Sequence, residues 1–306
     1  MRLNRRLAAV IVAMGVLFVI SAQFAVRGPE ETSPRVERVE SRTLPSFPDP
    51  NREVPLKGIR VATFNVAHGR GTSFHQTFVG SGRIRSNLSR IGAVLAQNGV
   101  DLAAIQEIDG PSMWSGAVDQ ARVLALASGL SYFVRGSHVR GIGMDHGTAI
   151  LSRWPLDHAI SRTFPISIPT LPKGFVVASL RWPGKDRLVY LVSVHLDFLR
   201  GSVRRKQFVE LAAYLGTRAR PVLVMGDLNC EWSELGTTLD HVAASLGLQA
   251  YAPESKEMET FPNLGRRIDW ILASSEIEIL SYEVMPEVLS DHLGIVATIL
   301  LHVENS

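Results

Sequence analysis

Runs of mostly apolar residues along the chain predict β-strands that are buried and carry polar residues at one end. Runs rich in Val, Ile and Leu are typical of strands with both faces in a core. They lie at 59–64, 100–106, 188–194, 221–225, 270–273 and 293–301. The first three are followed directly by a polar residue, the fourth is followed by Gly226 and Asp227, and the last two are preceded by a polar residue. Polar strand ends are therefore a recurring pattern of this chain.

Between these runs, apolar residues spaced three and four positions apart predict amphipathic helices. The predicted helices cover 86–97, 118–128, 204–215 and 238–246. Each would turn one apolar stripe towards the strands. We therefore expect the helices to pack on the core without a chemical role.

The polar strand ends are expected to meet at one edge of a mixed sheet if the last two strands run antiparallel to their neighbours. The residues gathered there would be Asn65, Glu107, His195, Asp227, Asn229, Asp269, Asp291 and His292. Most of them offer oxygen atoms, and two are imidazoles. Oxygen ligands suit Mg²⁺ or Mn²⁺ better than zinc, so the pattern predicts a divalent metal site.

The end of one predicted strand shows why these residues suggest a site. Gly226 permits a sharp turn, and Asp227 and Asn229, two positions apart on extended chain, point the same way. Burying a carboxylate is costly unless a cation or hydrogen-bond donors accompany it. One polar residue after a strand is usually a turn or cap residue, but six such ends favour a shared site. Asp109 and Asp197 stay open between a site role and a turn or cap role.

The residues around these strand ends resemble the endonuclease/exonuclease/phosphatase superfamily, which includes deoxyribonuclease I. The resemblance is carried, in the family's order, by TFNV at 63–66, QEID at 106–109, AILSRWP at 149–155, SVHLD at 193–197, GDLN at 226–229, RIDWI at 267–271 and SDH at 290–292. Together these segments are specific to the superfamily and much less specific to a substrate.

The resemblance implies an α/β (α+β) fold similar to deoxyribonuclease I, a four-layer sandwich of two packed mixed β-sheets flanked by helices. It also implies a hydrolase of phosphate esters that depends on a divalent metal, Mg²⁺ or Mn²⁺. By the same match Glu107 is the main metal ligand, with Asn65 and Asp291 beside it. A divalent ion would offset the negative charge of a phosphodiester and lower the pKa of bound water.

The resemblance also implies the catalytic residues. Asp227 would orient or deprotonate the attacking water, and Asn229 would bind a phosphate oxygen. Asp269 would hold His292, because a carboxylate fixes the tautomer of an imidazole and favours its protonated form. His195 and His292 would have acid, base or phosphate-stabilising roles, which the sequence does not divide between them.

Two segments near the motifs are less regular. Thr148 stands where many relatives have an asparagine, so its contact with a phosphate or a histidine is open. In the loop at 65–71, His68 and Arg70 could reach a substrate phosphate. Alternatively, the glycines of this loop make it flexible and leave the arginine in solvent.

The chain is expected to have three parts: a signal anchor or signal peptide at 1–27, a disordered proline-rich linker at 28–56 and a catalytic domain at 57–303. Residues 7–26 are uncharged and are preceded by arginines. About 20 such residues can span a bilayer, and the arginines favour a cytoplasmic N-terminus. A cleaved signal is the alternative. The catalytic domain would be extracytoplasmic in either case, membrane-anchored or secreted to the periplasm or beyond.

Net charge excludes few classes of binding partner, and the cysteine content bears only on disulfides and catalysis. The net charge of +3 comes mainly from residues 1–56, and the rest of the chain is nearly neutral. Strong binding to duplex DNA usually needs a concentrated basic surface, so charge does not favour nucleic acid over a lipid headgroup or a small phosphodiester. The one cysteine, Cys230, excludes an internal disulfide and is expected to be semi-buried without a catalytic task.

The sequence thus predicts a metal-dependent phosphodiesterase or nuclease that acts outside the cytoplasm. A sphingomyelinase- or phospholipase-like lipid phosphodiesterase is the first alternative, and a phosphatase of sugars or inositols ranks after it. An alternative of another class is a catalytically silent binding module with the same fold. Beyond the phosphate-ester substrate, the only predicted partner is the membrane, through the N-terminal helix.

Overall fold

The computed structural model describes residues 30–40, 58–216, 221–233 and 239–302, and their strands form two seven-stranded sheets. The first sheet contains, in spatial order, β13 (Ile277–Val284), β14 (Ile295–Leu301), β3 (Ile59–Asn65), β4 (Leu102–Asp109), β6 (Met144–Ser152), β5 (Tyr132–Gly141) and β2 (Glu37–Arg38). The second contains β1 (Glu31–Thr32), β7 (Asp157–Thr163), β8 (Gly174–Arg181), β9 (Leu188–His195), β10 (Val222–Asp227), β12 (Asp269–Ser274) and β11 (Leu248–Ala250).

In the described part of the chain, four helices cover the outer faces of the sheets. They are α1 (Ser81–Gln97), α2 (Gln120–Ser128), α3 (Gly201–Gly216) and α4 (Leu239–Ser245). All four predicted helices are therefore present. The first begins five residues earlier than predicted: Ser81, Gly82 and Arg83 are exposed, but Ile84 is buried and extends the apolar stripe.

The apolar residues of the strands divide between three cores, which explains why the strands have no polar face. In β3, Val61 faces the core between the sheets, and Ala62 faces the outer core under α1 and α2. In β9, Leu191 faces the inner core, and Val192 faces the core under α3 and α4. Successive residues of a strand point to opposite faces, so a strand covered on both sides is apolar throughout. The predicted four-layer sandwich is confirmed.

The direction of the strands brings their polar ends to one edge. β3 and β4 are parallel, as are β9 and β10, whereas β14 runs antiparallel to β3 and β12 runs antiparallel to β10. The carboxyl ends of four strands and the amino ends of two therefore lie together, as predicted. Each sheet contributes three of the six, so the site is shared by the two sheets.

Two strand ends differ from the prediction in detail. β4 does not stop at Glu107 but continues to Asp109 through a bulge in its pairing with β6. β10 does not turn at Gly226 but continues through Asp227. The glycine is needed for a different reason, since a Cβ there would lie 2.0 Å from the carbonyl oxygen of Val194 on β9.

Part of the expected disordered linker is ordered. Residues 30–40 place β1 against β7 at the edge of one sheet and β2 against β5 at the edge of the other. Val39 is buried, and its backbone N–H donates to Ser131 O at 2.8 Å. The composition of the linker did not predict these two strands, because strand pairing at a sheet edge uses backbone hydrogen bonds and places few requirements on the side chains.

The predicted membrane segment at 1–27 lies outside the described residues, as do residues 28–29 and 41–56 of the linker. Within the part of the chain that the structure describes, no helix is both long and apolar enough to cross a bilayer.

Candidate active site

The polar edge of the sandwich encloses a cavity of about 320 Å³. Seven of the eight predicted site residues line it, namely Asn65, Glu107, His195, Asp227, Asn229, Asp291 and His292. The eighth, Asp269, is fully buried and is hydrogen-bonded to His292. Strand direction thus converts residues that are distant in sequence into one site.

Asp227 lies at the centre of the site. Its Oδ2 accepts a 2.9 Å hydrogen bond from Asn65 Nδ2 and lies 3.3 Å from His195 Nε2. Its Oδ1 accepts a 3.0 Å hydrogen bond from the backbone N–H of Asn229. Burial and, next, repulsion from Asp269 raise the pKa of Asp227 to about 7. A carboxyl group with a pKa near neutrality is suited to act as a general base.

His292 forms the predicted pair with Asp269. Its Nδ1 lies 2.9 Å from Oδ2 of Asp269, and its Nε2 lies 3.7 Å from Oδ2 of Asp227. Burial alone would lower the pKa of His292, but attraction to Asp269 and Asp227 outweighs burial and raises the pKa to about 10. His292 is therefore an imidazolium at neutral pH and can donate a proton.

His195 has the opposite character because a lysine lies beside it. Lys173 is buried, and its Nζ lies 3.1 Å from Nε2 of His195. Burial and the charge of Lys173 lower the pKa of His195 well below its usual value. The structure thus makes His195 neutral and His292 cationic, a division that the sequence did not give.

Sequence reasoning missed Lys173, although a signal for it exists. The lysine directly precedes β8, and Gly174 at the start of β8 pairs with His195 on β9. An apolar run at 175–180 preceded by a polar residue is the same pattern that identified the other strand ends. Applying the pattern to every apolar run would have included this residue.

Glu107 projects into the cavity from the bulge of β4, where its backbone has a φ of 50°. Left-handed backbone at a non-glycine residue is strained and is often found at functional sites. Its Oε2 lies 3.3 Å from His68 Nε2, and its Oε1 lies 3.7 Å from Lys173 Nζ. Burial would raise the pKa of Glu107, but the positive charges of His68 and Lys173 outweigh burial and hold it far below its usual value. The side chain is therefore a firm anion.

The loop at 65–71 belongs to the site. His68 Nδ1 lies 2.7 Å from Asp109 Oδ1, and Arg70 Nη2 donates to Asp291 Oδ2 at 2.6 Å. Burial lowers the pKa of His68, but the carboxylates of Asp109 and Glu107 raise it further than burial lowers it. Since both side chains are held in ion pairs, the alternative of a solvated arginine on a flexible loop is wrong.

The residues left open by the sequence now have roles. Asp109 holds His68, whereas Asp197 accepts the backbone N–H groups of Leu199 and Arg200 and so stabilises the turn before α3. Thr148 is fully buried between the sheets, with its Oγ1 3.1 Å from His138 Nε2. Cys230 is fully buried rather than semi-buried.

The side chains fit a divalent cation at Glu107. This carboxylate is anionic, faces the cavity and is 22% exposed, and hard cations prefer such oxygen ligands. Asn65 and Asp291 line the same cavity, but Asn65 Oδ1 accepts the Ala67 N–H and Asp291 pairs with Arg70. Their role as metal ligands stays a prediction.

A second group of atoms is close enough together to hold a cation. It consists of Asp227, Asp269 and His292, whose ligand atoms lie within 4.8 Å of one another. Because Asp269 and His292 are already hydrogen-bonded to each other, we assign this group to proton transfer.

Comparison with known proteins decides the family. The model of the Endonuclease/Exonuclease/phosphatase family matches residues 62–292, which is most of the chain. The chain belongs to this family. Its members are hydrolases of phosphoric esters that typically depend on a divalent metal, and the family identified from the sequence motifs is therefore confirmed.

Known proteins resemble this family member at low sequence identity, in sequence or in fold. The uncharacterized protein YbhP of Escherichia coli (strain K12) is 26% identical over 225 residues, which cover 71% of this chain and 83% of YbhP. An endonuclease/exonuclease/phosphatase of Beutenbergia cavernae DSM 12333 has a TM-score of 0.65 at 21% identity, over 80% of this chain and 72% of that one. A mannosyl-6-phosphatase of Bacteroides thetaiotaomicron VPI-5482 has a TM-score of 0.55 at 17% identity, over 79% and 100% of the two chains.

Proposed function

We propose that this family member is a divalent-metal-dependent phosphodiesterase that uses Asp227 as general base and His292 as general acid. The observation that carries the proposal is the arrangement around Asp227. Oδ2 of this buried carboxyl group lies 3.3 Å from a neutral histidine, His195, and 3.7 Å from a cationic one, His292. Hydrolysis needs a base on one side of the phosphorus and a proton donor or positive charge on the other.

The proposed reaction assigns separate tasks to Asp227, His292 and Glu107. Asp227 takes a proton from the attacking water while Asn65 and the Asn229 N–H hold its carboxylate in place. His292 donates a proton to the leaving oxygen, and Asp269 supports the charge of its ring. A divalent ion held by Glu107 would neutralise phosphate charge and polarise the phosphoryl group.

The walls of the cavity favour a diester that carries an apolar or aromatic group. Phe198, Phe261 and Leu264 line the cavity above its polar floor, and Phe198 and Leu264 are 60% and 67% exposed. Phe261 also packs against the ring of His292, with the centroids 4.9 Å apart. Such walls would favour a substrate that carries a nucleobase or an acyl chain over a small sugar phosphate.

The exposed side chains Phe198, Leu199 and Leu264 beside the cavity support one second candidate, a lipid phosphodiesterase. Apolar side chains at the mouth of a site can contact acyl chains while the headgroup reaches the polar floor. The uncharged segment at 7–26 would place the domain at a bilayer, which is consistent with this candidate.

The substrate class is tested by turnover of a panel with and without chelation. We expect the full-length protein to hydrolyse bis-p-nitrophenyl phosphate faster than the monoester, to lose activity with EDTA and to regain it with added Mg²⁺ or Mn²⁺. DNA, RNA and sphingomyelin vesicles then separate a nuclease from a lipid phosphodiesterase. Activity that survives both EDTA and the Glu107→Ala change would overturn the proposal.

We propose that the catalytic domain lies outside the cytoplasm, tethered to the membrane or released after cleavage. The uncharged segment at 7–26 and the arginines before it support this placement. Fractionation of cells that express the full chain tests it, and a domain found only in the cytoplasm would contradict it.

The pH dependence of activity follows from Asp227 and His292, the proposed base and acid, which both interact with Asp269. Asp227 with a pKa of about 7 must be ionised, and His292 with a pKa of about 10 must be protonated, so activity rises through neutral pH and falls in alkali. Asp269→Asn removes a charge that raises both pKa values. We therefore expect both limbs of the kcat/KM profile to move to lower pH, measured at saturating metal. A shift of only one limb, or limbs that move apart, would contradict the assignment.

A further inference from the structure

A second histidine–carboxylate pair lies beside Glu107 and has no task in the reaction above. His68 stands between two acids, with Nδ1 2.7 Å from Asp109 Oδ1 and Nε2 3.3 Å from Glu107 Oε2. Its side chain is 10% exposed, and that of Asp109 is fully buried. A buried row of acid, imidazole and acid calls for a chemical explanation, because each polar group costs free energy to bury.

Several contacts fix the position of this imidazole. Asp109 Oδ2 accepts a 2.9 Å hydrogen bond from Trp114 Nε1, which holds the carboxylate. Gln120 joins the two backbones, since its Oε1 accepts the Asp109 N–H at 3.1 Å and its Nε2 donates to His68 O at 2.7 Å. His68 itself has a φ of 57°, a strained conformation that these bonds maintain.

The hydrogen bond to Asp109 decides what His68 presents to the cavity. Asp109 accepts the proton of Nδ1, so when a cation displaces the proton of Nε2, the ring presents the lone pair of Nε2 towards Glu107. A histidine that ligates a metal usually donates its other ring N–H to a carboxylate in the same way. Glu107 Oε2 and His68 Nε2 are therefore arranged as two neighbouring electron-pair donors.

The distance between these donors suits a single ion. Two ligand atoms at about 2.1 Å from an octahedral ion lie about 3 Å apart, and the observed separation is 3.3 Å. The other oxygen of Glu107, Oε1, faces Lys173 at 3.7 Å. An ion on the Oε2 side thus leaves the lysine beside the opposite oxygen.

We infer that His68 is a ligand of the metal ion held by Glu107, and that Asp109 orients it for this task. The inference rests on the proposed function for the presence of the ion and adds a nitrogen to its ligands. Imidazole suits transition metals better than it suits Mg²⁺. The site should therefore select Mn²⁺ over Mg²⁺ more strongly than an all-oxygen site would.

The test is the binding of Mn²⁺ and Mg²⁺ to the metal-free full-length protein, with no substrate present. Mn²⁺ binding is followed by the loss of the free-ion signal in electron paramagnetic resonance, and Mg²⁺ binding by competition. We expect His68→Gln to weaken Mn²⁺ binding by about 10- to 100-fold, comparable to the loss of a metal site's supporting contacts. Its effect on Mg²⁺ binding should be smaller, so the ratio of Mn²⁺ affinity to Mg²⁺ affinity should fall. Asp109→Asn should lower the same ratio of affinities.

A matched control is His75→Gln. His75 also contacts Trp114, with the ring centroids 5.8 Å apart, but its Nδ1 accepts a hydrogen bond from the backbone N–H of Thr77 instead of facing a carboxylate. This variant should bind both ions like the wild type. Unchanged Mn²⁺ binding in His68→Gln would overturn the inference. So would a wild-type Mn²⁺ complex whose spin-echo spectrum lacks coupling to ¹⁴N, a result that needs no variant to fold.

The outcomes separate this inference from the proposed function. If Mn²⁺ binds through His68 but no phosphodiester is hydrolysed, the proposed activity fails and the ligand assignment stands. If hydrolysis is metal-dependent and His68→Gln changes neither ion's binding, the activity stands and the ligand assignment fails.

Discussion

Replacing Glu107 by glutamine is expected to lower kcat/KM by roughly 1,000-fold, because several kcal/mol of charge stabilisation come from a metal ion and each 1.36 kcal/mol is a factor of ten. Glutamine keeps the size of the side chain but removes the negative charge that faces His68 and Lys173. Steady-state kinetics on a small phosphodiester, at a range of Mn²⁺ concentrations, measure the loss.

The same Glu107→Gln variant should also bind Mn²⁺ far more weakly, which separates loss of the ion from loss of the fold. Glu257→Gln is the matched control, since this glutamate is exposed. It should match the wild type in both measurements. A Glu107→Gln enzyme that regains full activity at high Mn²⁺ would mean that Glu107 contributes affinity but no catalytic charge. Full activity without added metal would contradict its metal role altogether.

Much of the fold could be predicted because the strands are apolar on both faces. Such runs stand out from the helices by length and by the lack of a polar stripe, as at Val222–Asp227. The polar residues at their ends were equally visible, and their recurrence at six strand ends favoured a shared site over isolated turn or cap residues. Three strand ends from each sheet meet at the site because β14 and β12 run antiparallel to their neighbours β3 and β10.

What the sequence did not predict depends on pairing across the fold. Lys173 reaches the site because β8 pairs with β9, and His68 meets Asp109 across 41 positions of sequence. The strained backbone of Glu107 results from a bulge in the register between β4 and β6. Lys173 before an apolar run was a visible signal, but local composition does not show which of these residues meet in the fold.

The charges of the two histidines illustrate the same limit. Each occurs in a short motif that resembles the family, and nothing within either motif distinguishes a base from an acid. The difference comes from their partners in space, since Asp269 lies 2.9 Å from His292 and Lys173 lies 3.1 Å from His195. Opposed environments of this kind are how a site runs acid and base chemistry at one pH.

Asp227→Asn is expected to lower kcat by roughly 100- to 10,000-fold, the usual contribution of a general base. The amide is isosteric, so substrate KM and Mn²⁺ affinity should stay close to wild type, because Glu107 and His68 are unchanged. The rise of activity through neutral pH should disappear with the group whose pKa is about 7. Kinetics across the pH range measure kcat, KM and the acidic limb, and a Mn²⁺ titration measures the affinity for the ion. An unchanged acidic limb would assign that limb to another group and exclude Asp227 as the base.

Thermal unfolding of the metal-free protein provides an independent test of the same carboxyl group. Burial and Asp269 raise the pKa of Asp227 above its usual value, so the folded state holds this proton more tightly than the unfolded chain does. Stability from this group is therefore present at acidic pH and is lost as the pH rises to about 7. Asparagine cannot titrate, and it can offer only one oxygen to the two donors Asn65 and Asn229. Relative to Asp227→Asn, the melting temperature of the wild type should thus be highest in acid and should fall towards neutral pH. A difference independent of pH would show that the carboxyl group is ionised throughout, and it would then be too weak a base for the proposed role.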